Sequence, residues 1–484
     1  MSDDAAARCA SPLANAPAFL LFVAYCAFLF LRGDFGCSFL VAATAAILVP
    51  AGWTLLGMSR FERGALPVIW ILLLFALAGT LSFAARLRPE PALPVMIAAQ
   101  GVVQAERSWG QGRIALVATR SGKFVLRLTG EENVSPGMRL SFSGRLVAFR
   151  GARHPGAFDE FRYWKARGAL AAVADPEIIV RGVAVGPARW RHILGERIRS
   201  TLPQRTAGYI SAAWIGTRDP LLEHLHRQAG TSHLLAVSGF HVGIVFALCW
   251  FLLRGFRHRL VWIGVAVWSY AVLTGAAPSA LRAAFMAQVV ILGRMAGRAG
   301  NGFNSTAVAG TVLLLWNPWL FWDVGWRLSM LAVLALTAVS FLRIAGGLKT
   351  MLAGALVWLA TSVQATRTFG ETPLAGLFLN FFALPVFGVL FPLASLVSLP
   401  ALLGLPGGYR LASAVEFLFG RWERVSYNVL ALCPWRVPYS TTLAACGVVA
   451  LSYCFGRACG FSAGRAWIAV GINLSALFFA AVLV

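Results

Sequence analysis

Two histidines and a serine open the stretch HLLAVSGFHVG, residues 233–243, at the head of a long apolar run. Ser238 and His241 are three apart, so on a helix they share one face. A hydroxyl beside an imidazole is the raw material of a nucleophile and its base. No aspartate or glutamate stands at a spacing that would orient the imidazole, so hydrolysis is the weakest reading. Polar groups inside an apolar run are costly unless they face a partner or a wet cavity. Two readings of His241 stay open: a donor lining a narrow conduit, or a polar plug satisfied by helix packing. His233 lies nearer the interface. Gly239 and Gly243 form a G-x-x-x-G, a spacing that lets another helix come close.

Other candidates follow along the chain. In APSALRAAF, Pro278 and Ser279 read as a helix start with Arg282 in the first turn. A helix N-terminus plus a guanidinium suits phosphate, with snorkelling to lipid headgroups as the bland alternative. Asp323 and Arg327 are four apart, the spacing of an ion pair on one helix face. Asn380 is a lone amide ahead of Pro385, placed to line a broken helix. His224 and His226 form an H-x-H without a following Asp-His, so they read as surface residues and not as metal ligands. No metal and no cofactor is expected. No G-x-x-x-x-G-K-[ST] occurs, so any ATP is hydrolysed by another protein.

The elements that must hold these residues are apolar. Of 484 residues, 58% are hydrophobic and 13% charged. Mean hydropathy is +0.72. That balance reads as a polytopic α-helical membrane protein. The eight cysteines form no C-x-x-C and read as packing residues. Apolar runs lie near 16–31, 37–57 and 65–85, then from residue 233 to the end, with Pro385 and Pro392 breaking one of them. The connections RGFRHR, RMAGR and RIAGGLK are basic, whereas TGAAPS and NPWLFWD carry no lysine or arginine. The alternation places the basic loops in the cytoplasm, and the segment before residue 233 outside.

That outer segment has a different character. Residues 86–230 hold 22 Lys/Arg against 11 Asp/Glu. Five alternating runs begin at VMIAAQGVV, GRIALVAT, KFVLRLTG, MRLSFSGRL and ALAAVADPE, with Gly and Pro between the first four. Five short strands suit a small barrel such as an OB-fold, although any five-stranded β-domain gives the same pattern. Net charge is +23, carried almost wholly by arginine, whose planar fork matches phosphate. Outside the membrane, the excess of basic residues in 86–230 does not follow from topology. It points to a polyanion, with anionic headgroups as the alternative. Arg113, Lys123, Arg127, Arg139 and Arg145 fall on or beside the strands, with Phe124 and Phe142 nearby. Cations interleaved with rings suit single-strand binding. The expected fold is therefore a polytopic helical membrane protein with an inserted extracytoplasmic OB-like barrel. Its segments are 1–85 (helices), 86–187 (barrel), 188–232 (amphipathic interfacial helices) and 233–484 (membrane domain).

TSHLLAVSGFHVGIV resembles the signature of the ComEC competence-protein family. YAVLTGAAPSALRAAFMA (270–287) and NPWLFWDVGWRLSMLAVLAL (317–336) are similar to the family's next blocks, and GARHPGAFDEFRYWKARG (151–168) to the close of its OB domain. The order of parts agrees over nearly the whole chain. The resemblance implies a channel of the bacterial inner membrane that passes single-stranded DNA during transformation. Membrane lipids, a DNA receptor and a cytoplasmic ATP-driven translocase would be its partners. Long members carry a metallo-β-lactamase-like nuclease domain. None is expected here, so the chain reads as no enzyme, with any nuclease a separate protein. Arg327 stands where the family has glutamine. The rivals are a transporter of another anionic polymer or solute, and a non-transporting component of the competence machinery.

Overall fold

The computed structural model describes residues 17–33, 95–110, 112–128, 132–152, 157–297, 301–342, 344–458 and 462–473 except 465 and 472. The runs expected at 37–57 and 65–85 lie outside these residues, as does most of the last one. The chain divides into two compact units. One comprises residues 1–88, 285–372 and 436–484; the other comprises 89–284 and 373–435. These limits differ from the four segments read from the sequence.

The second unit contains a closed barrel in the order β1–β2–β3–β5–β4. Its strands are β1 (Met96–Trp109), β2 (Gly112–Thr119), β3 (Gly122–Leu128), β4 (Met138–Val147) and β5 (Ala169–Val183). All five expected strands are present. β1 pairs with β4 through Met96–Val102 and with β2 from Gly101 onward. A bulge between Val103 and Ala105 bends it from one partner to the other. Parallel pairing of β3 with β5 closes the barrel. Alternation sends Phe124, Leu126, Leu128, Leu140 and Phe142 inward to the core. The outward Ile114 and Val125 belong to a second core cluster with Trp164 of α2 (Glu160–Ala166).

After the barrel come α3 (Pro187–Thr201), α4 (Gln204–Ile215), α5 (Pro220–Gln228), α6 (Gly239–Leu252), α7 (Arg259–Leu273) and α8 (Pro278–Met295). α3 is tied to the barrel where Arg191 donates to the carbonyl of the bulge residue Gln104 at 3.0 Å. The division between the units falls within α8, after Ala284, and the second unit resumes with α12 (Ala375–Leu402) and α13 (Gly408–Leu432). The label order passes through the first unit, which holds α1 (Pro17–Gly33), α9 (Gly302–Trp316), α10 (Val324–Ser340), α11 (Gly346–Phe369) and α14 (Thr441–Ala458). The short strands β6 (Glu371–Pro373) and β7 (Arg436–Pro438) pair with each other.

Among the described residues, α11 and α12 are long and apolar enough to cross a membrane, and several shorter apolar helices accompany them. α12 corrects one expectation: it runs unbroken through Pro385, Pro392 and Pro400. Each proline removes one backbone donor. Packing holds the helix regardless, because Phe387 meets Tyr209, Phe391 and Trp422 at ring distances of 5.8, 4.8 and 5.2 Å. Its opposite side exposes Phe382, Val389 and Leu396, seven residues apart, as an apolar stripe that continues to the C-cap Leu403. The first turn of α4 is capped from another helix. Glu416 of α13 accepts from the Arg205 and Thr206 amides at 3.2 and 2.8 Å.

Two glycines are fixed by close approach. Gly230 takes a φ of +68°, and a Cβ there would stand 2.9 Å from the Gly376 Cα. A Cβ on Gly310 would stand 2.5 Å from the Phe22 ring, so α1 and α9 depend on the missing side chain.

Candidate functional site

The structure brings Ser238, Gly239, His241 and Arg282 to one junction, where α6 and α8 begin. Ser238 is the N-cap of α6, not a residue within it. Its hydroxyl makes no cap hydrogen bond and lies 3.3 Å from His241 Nδ1. The two residues meet, but through a cap rather than a shared helix face. The His241 side chain is 4% exposed. Its Nε2 has no hydrogen-bond partner, and its ring lies 4.9 Å from that of Phe391.

α8 starts at Pro278 as expected, which puts Arg282 at its fifth position, just past the first turn. Ser279 donates to the Val237 carbonyl at 2.5 Å, and a Cβ on Gly239 would meet that of Ala283 at 3.7 Å. These contacts clamp the two helix starts together. Arg282 is 1% exposed, so it does not snorkel to a surface. The G-x-x-x-G expectation holds at one end only. Gly239 touches α8, whereas Gly243 is exposed with nothing within 4 Å of its would-be Cβ. A face turned outward has no neighbour to approach.

His233 is exposed, on a short 3₁₀ turn ahead of α6. Asn380 donates to the Gly230 carbonyl at 3.3 Å, and its Oδ1 is buried without a hydrogen-bond partner. Asp323 and Arg327 belong to the other unit. Asp323 caps α10 by accepting from the Trp326 amide at 2.9 Å. Arg327 donates to the Phe321 carbonyl at 2.6 Å and covers that ring at 4.8 Å.

His226 corrects a second expectation. It is not a surface residue but 1% exposed. Its Nε2 lies 2.8 Å from the Tyr209 hydroxyl and its Nδ1 2.8 Å from Thr231 Oγ1. Burial, and after it the neighbouring His233, pushes its pKa down to about 4, so the ring is neutral at pH 7. His224 is exposed, as expected. Among the described residues, no group of three or more metal-ligating side chains occurs.

The barrel sorts its cations into two sets. At the start of β2, Arg113 pairs with Glu106 at 3.1 Å and donates to the Glu132 carbonyl at 2.9 Å. Arg127 holds Glu160 of α2 at 3.1 Å, and Lys123 donates to the Arg167 carbonyl at 3.4 Å. All three fasten the barrel to its own loops and helix. Arg139 and Arg145 on β4 are exposed and, among the described residues, make no ion pair or side-chain hydrogen bond. Arg150, just beyond β4, is the same. This third cation was missed from sequence because it follows the strand, and no periodicity links it to Arg139 and Arg145. Phe124 and Phe142 correct a third expectation. They are 5% and 3% exposed, with ring centroids 6.3 Å apart inside the barrel. Alternation turns them inward, so no base reaches them.

The family described as "Competence protein" matches residues 216–459, just over half of the chain. ComE operon protein 3 of Bacillus subtilis (strain 168) is 29% identical over 284 residues, which is 55% of this chain and 33% of that protein. The match thus spans about a third of the relative's length. No solved structure matches. The matched region begins before α5 and ends with α14, so it holds the α6–α8 junction, Asn380 and the Asp323–Arg327 turn. The chain belongs to the competence-protein family that its sequence blocks resemble, the ComEC family.

Proposed function

We propose that this protein carries single-stranded DNA across the bacterial cytoplasmic membrane during natural transformation, as a multi-pass channel with its barrel on the extracytoplasmic side. The observation that carries this reading is the set of uncommitted arginines on a barrel joined to competence-family helices. Arg139 and Arg145 are six residues apart on β4, about 20 Å along a strand. Arg150, just beyond β4, adds a third exposed guanidinium. A flexible polyanion can bind these cations through its phosphates.

Conduction falls to the α6–α8 junction. His241 and Arg282 are buried and build its wall, while the exposed His233 is the residue a strand meets there. The basic loops between α6 and α7 and after α8 support a cytoplasmic position for those ends. The lack of a nucleotide-binding loop in the sequence supports a separate ATP-driven translocase as the motor. A DNA receptor and a nuclease complete the assigned partners.

Uptake of labelled DNA by a deletion strain, with and without the restored gene, tests the reading. Loss of internalised label with normal binding of DNA at the cell surface is the expected result. Normal internalisation in the deletion strain refutes it.

A further inference from the structure

The rings expected to stack on bases are in the barrel core, but a different ring cluster stands outside it. Trp109 ends β1, Phe158 precedes α2, and Tyr163 lies on α2. Phe158 is 60% exposed. Its ring centroid lies 5.6 Å from Trp109 and 5.3 Å from Tyr163, and those two are 5.3 Å apart. Trp164 anchors the group from below, 5.2 Å from Trp109 and 5.0 Å from Tyr163. An exposed phenylalanine on a rigid aromatic base adds little to the fold, and it offers a flat apolar face to a ligand.

Cations surround this face. The Arg167 guanidinium lies 3.5 Å from the Tyr163 centroid, and Arg107 Nη1 is 3.5 Å from the Tyr163 hydroxyl. The Arg150 carbonyl accepts from the Phe161 amide, which holds that free arginine beside α2. The nearby acids are neutralised: Glu106 by Arg113, Asp159 by Arg162 and Glu160 by Arg127. β4 leads from Arg139 through Arg145 toward Phe149, whose ring stacks 6.2 Å from Trp164. The exposed arginines of β4 are thus followed by Arg150, which is held at the helix that carries Tyr163.

We propose that Trp109, Phe158 and Tyr163 form a base-stacking platform that receives the nucleobases of a single strand whose phosphates follow Arg139, Arg145 and Arg150. This rests on the DNA reading above and adds what charge alone does not give: a preference for polymers that carry flat rings. Stacking on aromatic side chains is tolerant of sequence, as a general uptake path requires.

The test uses the full-length protein in phosphatidylcholine nanodiscs, with two probes of equal length: oligothymidylate and the same strand without bases. The wild type should bind the base-bearing strand at least tenfold tighter. Phe158→Ala should erase roughly a tenfold preference or more while leaving the abasic affinity and the melting temperature unchanged, and Phe158→Trp should restore it. Equal wild-type binding of both probes overturns the platform and leaves the DNA reading intact. So does a parallel loss of both in Phe158→Ala. If the folded protein binds neither strand at low salt, the DNA reading itself fails. If Phe158→Ala instead weakens binding to phosphatidylglycerol vesicles with strand binding unchanged, the rings dock on lipid and the proposal is wrong.

Discussion

The outer face of β4 and the start of α6 and α8 use the same cationic residue type in opposite ways. Arg139 and Arg145 are exposed with no partner among the described residues, whereas Arg282 is almost wholly buried where two helix starts are clamped together. An exposed, uncommitted guanidinium costs the fold nothing and remains available to a ligand. A buried one is part of the wall that surrounds it. The difference teaches that a basic composition does not by itself mark a binding surface. Substitutions in the two regions should therefore fail differently, one in affinity and the other in folding.

The largest effect is expected at the junction. Arg282→Ala removes a large side chain from a closed site and strands the groups packed around it, at about 3–5 kcal/mol. Recovery of folded protein from membranes should drop sharply. Normal recovery with lost uptake would place Arg282 on the strand's path and break the comparison.

His226 sharpens it through pH. Its folded pKa of about 4 lies below the ordinary histidine value, so the unfolded chain binds the proton more readily. The stability held by the neutral ring is complete above pH 6.5 and is lost as pH falls from 6.5 to 4, by about 3 kcal/mol. Thermal unfolding of the purified protein across that window should show this slope. The slope should flatten in His226→Gln, and an unchanged slope there would reassign it to another group.

On the barrel, Arg139→Ala, Arg145→Ala and Arg150→Ala combined should lower single-strand affinity ~100-fold and reduce the salt dependence by about two units of slope. The melting temperature should not move. Arg127→Ala is the control with the smallest effect. It should cost about 1 kcal/mol of stability through the lost tie to Glu160, with strand affinity nearly unchanged. If Arg127→Ala weakens binding as much as the triple change does, the division of the cations into two sets is wrong.

The sequence by itself determined the barrel's five strands, because alternation and turn glycines are local signals. It determined the start of α8, because a proline with a following serine reads as a helix opening wherever it falls. The family blocks were also legible as strings of residues. Which arginines are free was decided only in three dimensions. Arg113 and Arg127 look like Arg139 and Arg145 in sequence, and they differ because α2 and the loop before β4 supply their partners. The inward turn of Phe124 and Phe142 is a matter of strand phase, which a closed barrel fixes for every residue at once. His226 became a core residue only when Tyr209 and Thr231 closed on both ring nitrogens. α12 passed through its prolines because rings from α4 and α13 hold its buried face. Periodicity tells which residues share a face. What covers that face depends on contacts far apart in the chain, and those decided which cations and rings remain outside.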